Sequence, residues 1–171
     1  MMQMLYAGGH PILADDKRAP NEDNPRGYFE YQPVRATARD VSWVGDAQGK
    51  AVKVIYLLIE HLPRNYFYRV ILMHRDLSEV VASQAAMLAR KGAAAAATPE
   101  RLASIYDSQM AGVKRLLRSA PCFEAIEVGF ASCIAEPRNT AREVNRFLGG
   151  SLDEIAMSHA VDPSLYRNRI G

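Results

Sequence analysis

"YRVILMHRDLSEVVASQ", residues 68–84, opens as an apolar run and breaks at Arg75, with Ser83 eight positions further on. The β-branched and aliphatic residues of 68–73 suit a strand buried on both faces, as in a parallel sheet. At "HRD" the period changes. Asp76 and Glu79 have capping-box spacing, and Leu77, Val80, Val81, Met87 and Leu88 recur at helical intervals, so a helix is predicted to about Arg90. Ligands of such strand-to-helix units bind at the C-terminal edge of the strand, where Arg75 stands. Ser83, two turns into the helix, can face the same cleft. A guanidinium fork with a neutral hydroxyl donor is suitable chemistry for a phosphate. The same residues equally suit an arginine paired with Asp76 or Glu79 and a serine on a solvated face.

Upstream, "GKAVKVIYLLI" (49–59) has the composition of a second buried parallel strand. The intervening "EHLPRNYF" is too short for a normal crossover helix and reads as a helical turn or irregular loop. "MMQMLYAGG" reads as the last turns of a helix closed by Gly8 and Gly9. Residues 14–33, rich in Pro, Asn, Asp and Gly, read as a long loop, a length usual for functional or disordered segments. Downstream, "KGAAAAATP" is aperiodic and ends in Pro99, which suits the first position of a helix. Leu102, Ile105, Met110, Val113, Leu116 and Leu117 then trace an amphipathic helix to about Leu117. "FEAIEVGF" reads as a strand, "PRNTAREVNRFLGG" as a helix ended by Gly149, and "SLDEIAMSHAV" as a helix begun by Ser151. Alternating strands and helices indicate an α/β fold with a mainly parallel sheet.

The length of 171 residues fits one domain, and a composition of 49% hydrophobic and 23% charged residues with net charge +2 excludes a disordered tail. The basic residues form no block of the kind that binds nucleic acid, although small anions are compatible with the charge. Cys122 and Cys133 lie in no metal or redox spacing, which suggests reduced thiols and a cytoplasmic setting. His10, His61, His74 and His159 show no ligand spacing, so no metal is expected. No apolar run reaches membrane-spanning length, and the first residues lack the features of a signal peptide.

The Arg75-to-Ser83 segment resembles the sulfotransferase family, in which a strand ends in arginine and the next helix carries serine eight residues on. Three other segments agree in order: "NEDNPRGYFEYQPV", "KAVKVIYLLIEHLP" and "DPSLYRNR" are similar to segments of bacterial sulfotransferase-like proteins. The resemblance implies a single domain over 1–171 with a P-loop NTPase-like three-layer sandwich. It implies 3'-phosphoadenosine 5'-phosphosulfate as sulfuryl donor, its 3'-phosphate held by Arg75 and Ser83, and a hydroxyl or amine acceptor. The family's Gly-rich phosphate loop, which follows the first strand, does not occur in this sequence. Met1 therefore reads as an internal residue of a longer ancestor, with activity belonging to the intact parent.

Sulfuryl transfer requires a base on the acceptor and positive charge near the bridging oxygen. Glu30, ending "NPRGYFE", is the candidate base, with Glu22 as its rival; either also suits an exposed loop carboxylate. Lys53 matches a family lysine that touches the transferring group, although Ile55 replaces the family's histidine, and a snorkelling lysine would look the same. Arg167 and Arg169 would close over the nucleotide, or else form a basic tail. Tyr28, Phe29 and Tyr31 would shape the acceptor pocket, stack on adenine or pack the loop. Two other readings are a non-catalytic nucleotide-binding remnant and a small-molecule kinase of similar topology.

Overall fold

The computed structural model describes residues 1–15, 17–21, 24–76 and 98–165. Its centre is a pair of parallel strands, β1 (Tyr68–His74) and β2 (Phe123–Gly129), with Tyr68 opposite Phe123 and His74 opposite Gly129. Around it lie helices α1 (Met2–Ala7), α2 (Pro99–Ser119), α3 (Phe130–Ala135), α4 (Pro137–Leu148) and α5 (Glu154–His159). The expected α/β class therefore holds, with a described parallel sheet of two strands. The helix expected to run to Arg90, with Ser83 on it, lies outside the described residues.

Strand periodicity sends alternate side chains to opposite faces of this sheet. Tyr68, Val70, Leu72 and Phe123 enter one apolar cluster, with Met110, Val113 and Leu117 of α2 and with Trp43, Ile59 and Leu62. Ile71, Met73, Ile126 and Val128 enter another, built on Met4 and Leu5 of α1, Ala141 and Val144 of α4, and Met157 of α5. The in-register pairing of Ile71 with Ile126 and Met73 with Val128 follows from this burial, because a slip of one strand by one residue would send its side chains to the wrong cluster.

The helix limits have local causes. Thr98 caps α2, its hydroxyl accepting from Arg101 N, and Pro99 occupies the first position as expected. Gly149 ends α4 in the left-handed conformation, φ 115°. Gly8 follows α1 where a Cβ would fall 2.5 Å from Met157 Cγ, so only glycine lets α5 approach.

Two expectations are corrected. Residues 49–59 do not form a strand: a single bridge joins Ile12 to Ala51, and Tyr56–His61 winds into a 3₁₀-helix. Val52, Val54, Tyr56 and Leu58 do pack alternately inward, while Lys53, Ile55 and Leu57 are exposed. The burial period is that of a strand, but the backbone pairing is not. Ser151 does not cap the last helix either. Asp153 does, its carboxylate accepting from Ile155 N and Ala156 N at 2.9 Å each. Leu152 N is already bound to Asn145 Oδ1 at 2.9 Å, which holds the chain outside the helix until Asp153.

Candidate functional site

The long loop that follows Leu13 returns on itself: Asp15 N donates to Glu30 O at 2.8 Å, and Asn21 and Asn24 form an antiparallel bridge. Asp15 is its clasp. The Asp15 carboxylate accepts from Gln32 N at 2.6 Å and Lys17 N at 3.2 Å, bonds that hold its pKa below the ordinary value. Arg26 ties the loop to the chain after α5, donating to Ala160 O at 2.9 Å and Asp162 Oδ2 at 2.8 Å. Among its described residues before Gln32 the segment forms no helix or strand beyond the Asn21–Asn24 bridge, and it is anchored by Asp15 and Arg26.

Within it Phe29 has φ 50°, the one non-glycine residue with positive φ among those described. That conformation is strained for a bulky side chain, and such strain concentrates at functional positions. It divides the neighbouring carbonyls: Tyr28 O accepts from Lys53 Nζ at 3.3 Å, while Glu30 O turns to Asp15. The Phe29 ring meets Tyr6 of α1 with centroids 6.2 Å apart.

Glu30 is the charge centre of the loop. Its Oε1 lies 3.0 Å from Arg18 Nη1 and 3.9 Å from Lys53 Nζ, and its Oε2 accepts from Arg35 Nη2 at 2.7 Å. Burial alone would raise its pKa, but the Arg35 bond and the Lys53 and Arg18 charges outweigh burial and hold the carboxyl below its usual range. Lys53 shifts down as well, chiefly through desolvation, with Glu30 opposing and Arg18 assisting. Arg18 also lies over the Tyr28 ring, Cζ 3.4 Å from the centroid, which fixes its plane.

At the C-terminal edge of the sheet, half-buried Arg75 follows β1 and sets its guanidinium over Phe130, 4.9 Å from the ring centroid. Phe130 opens α3, directly after β2. The same α3 carries Cys133, whose Sγ lies 3.5 Å from Met4 Sδ in α1. One end of the sheet therefore leads from Arg75 through α3 to the start of α1.

No protein-family model, curated protein or solved structure matches the chain. Among the described residues no group of His, Cys, Asp or Glu is gathered to hold a metal, and no helix is long and apolar enough to cross a membrane.

Of the residues singled out in the sequence, Glu30 and Lys53 meet, and Arg75 takes the strand-end position. Ser83, Glu22, Arg167 and Arg169 lie outside the described residues. Tyr31 packs against Trp43 in the core, with centroids 6.5 Å apart, whereas Tyr28 and Phe29 serve the loop. Sequence reasoning missed Asp15, Arg18 and Arg35. They converge on Glu30 only through the loop closure, and no spacing signals it.

Proposed function

We propose that the chain is a sulfotransferase-type protein on a P-loop-like α/β architecture, moving a sulfuryl group from 3'-phosphoadenosine 5'-phosphosulfate to a hydroxyl or amine acceptor. The observation that carries this reading is the place of Arg75, half-buried directly after a parallel strand and beside the start of α3. That edge is where α/β sheets receive ligands, and a guanidinium there suits a phosphate. In this reading Arg75 and Ser83 hold the 3'-phosphate and Arg167 and Arg169 close over the nucleotide. Lys53 supplies positive charge to the transferring group. The acceptor oxygen or nitrogen bonds to sulfur as the bond from sulfur to the bridging oxygen breaks. The acceptor proton passes to Glu30, and adenosine 3',5'-bisphosphate leaves.

Glu30 is ionised at neutral pH, as a base must be, but its lowered pKa makes it a weak one. With both its oxygens committed to arginines, a second reading gains support: a nucleotide-binding protein without turnover.

Calorimetry with adenosine 3',5'-bisphosphate tests the site. Arg75→Ala should weaken binding by about 2 kcal/mol or more, the scale of a lost charge-assisted contact. Unchanged affinity removes Arg75 from the site. Release of adenosine 3',5'-bisphosphate from the donor in the presence of phenols and amines separates the two readings.

A further inference from the structure

Lys53 is approached by two residues that flank Phe29 in the chain. Its Nζ donates to Tyr28 O at 3.3 Å and lies 3.9 Å from Glu30 Oε1. In an extended chain the carbonyl of Tyr28 would lie in the hydrogen-bonding plane of the backbone and the side chain of Glu30 would stand perpendicular to it, so the two would not converge on one ammonium. A turn at the residue between them makes them converge. Phe29 supplies that turn with φ 50°. On its other side Glu30 O accepts from Asp15 N at 2.8 Å, so the main chain is bonded both before and after the turn.

A bulky residue in the left-handed region is an outlier that persists only where its surroundings over-determine it. Glycine takes this conformation without strain, and the loop uses it two residues earlier, at Gly27 with φ 86°. At position 29 the chain keeps a side chain instead, and its ring lies against Tyr6 of α1 with centroids 6.2 Å apart. The ring fastens the turn to the body of the fold, and the backbone reaches the charged pair.

We propose that Phe29 is a positioning residue: its left-handed backbone sets the Tyr28 carbonyl and the Glu30 carboxylate about the Lys53 ammonium, and so fixes the base relative to the cation that serves the transferring group. The part played in transfer rests on the sulfuryl-transfer reading; the setting of the pair does not.

The test compares substitutions that all remove the ring but differ in the backbone they accept. Asparagine tolerates the left-handed region, whereas valine, branched at Cβ, resists it. The readout is the coupling of the two charges in the full chain, taken as the downward displacement of the Lys53 ¹³Cε titration that Glu30→Gln produces. The displacement should persist in Phe29→Asn and be lost in Phe29→Val. Phe29→Ala, unbranched but still averse to positive φ, should fall between them, and its comparison with Phe29→Asn decides the matter if the valine variant does not fold. A displacement equal in Phe29→Asn and Phe29→Val, or in Phe29→Asn and Phe29→Ala, would overturn the proposal, as would its absence from the parent. Release of adenosine 3',5'-bisphosphate from the donor with a phenol acceptor is read on the same variants, and should fall severalfold further in Phe29→Val than in Phe29→Asn. The expected coupling pattern with no release, even from the parent, sinks sulfuryl transfer and leaves the positioning of the pair. Release that is equal in the two variants sinks the positioning role in transfer.

Discussion

Glu30 and Lys53 shift each other's ionisation in a direction that can be measured. Glu30 raises the pKa of Lys53 against the desolvation that lowers it. Glu30→Gln should therefore drop the Lys53 pKa further, read from the pH dependence of its side-chain ¹³Cε shift; an unchanged titration would mean the two groups are not coupled. The same carboxylate gives the fold an acid dependence of defined sign. Its folded pKa is below its unfolded one, so its ion pairs contribute in full above the ordinary glutamate value of about 4.3 and are lost as pH falls through the lower folded value. Urea midpoints of the parent and Glu30→Gln should converge in that acid window, and parallel curves would show that the pairs contribute nothing. At this scale the sequence was partly legible. A strand-end arginine and a lysine in an apolar run are local features, whereas the cations around Glu30 come from Arg18 and Arg35, and only loop closure through Asp15 brings them together.

The last helix shows how two adjacent capping signals are decided. Ser151 and Asp153 are both competent caps, and Asp153 holds the role because Asn145, buried between α4 and α5, binds Leu152 N and Glu154 Oε1 and so sets where the helix begins. Asp153→Ala should cost about 1 kcal/mol in urea unfolding and Ser151→Ala close to nothing. Equal costs would restore Ser151 as a contributor. The same limit explains residues 49–61. Their alternating burial is written in Val52, Val54 and Tyr56, but a strand also needs a neighbour along its backbone, and an apolar pattern does not name one. β1 was legible because it sends apolar side chains toward both faces and ends at a sharp change of period, and β2 because Phe123, Ile126 and Val128 recur in a short run of strand formers.

At the scale of the molecule, two apolar clusters of the described residues share the sheet of β1 and β2, and their energetic coupling runs through those strands. Leu117, on α2, is 6% exposed in one cluster, and Met157, on α5, is fully buried in the other. Each truncation to alanine should cost about 2–5 kcal/mol, the range for large-to-small changes in a core. The informative quantity is how the loss spreads. The chain has a single tryptophan, Trp43, which sits in the cluster of Leu117 with its indole N–H donating to Thr37 Oγ1 at 3.2 Å. Its fluorescence therefore reports on one face of the sheet only. Because Ile71 and Met73 alternate along β1 with Val70 and Leu72, loosening one face disturbs the backbone that carries the other. Met157→Ala should thus lower the fluorescence midpoint of Trp43 and the far-ultraviolet circular dichroism midpoint together, in one transition. If the dichroism falls first while Trp43 holds its parent midpoint, the two clusters unfold separately, and the sheet between them is too narrow to make the fold one cooperative unit.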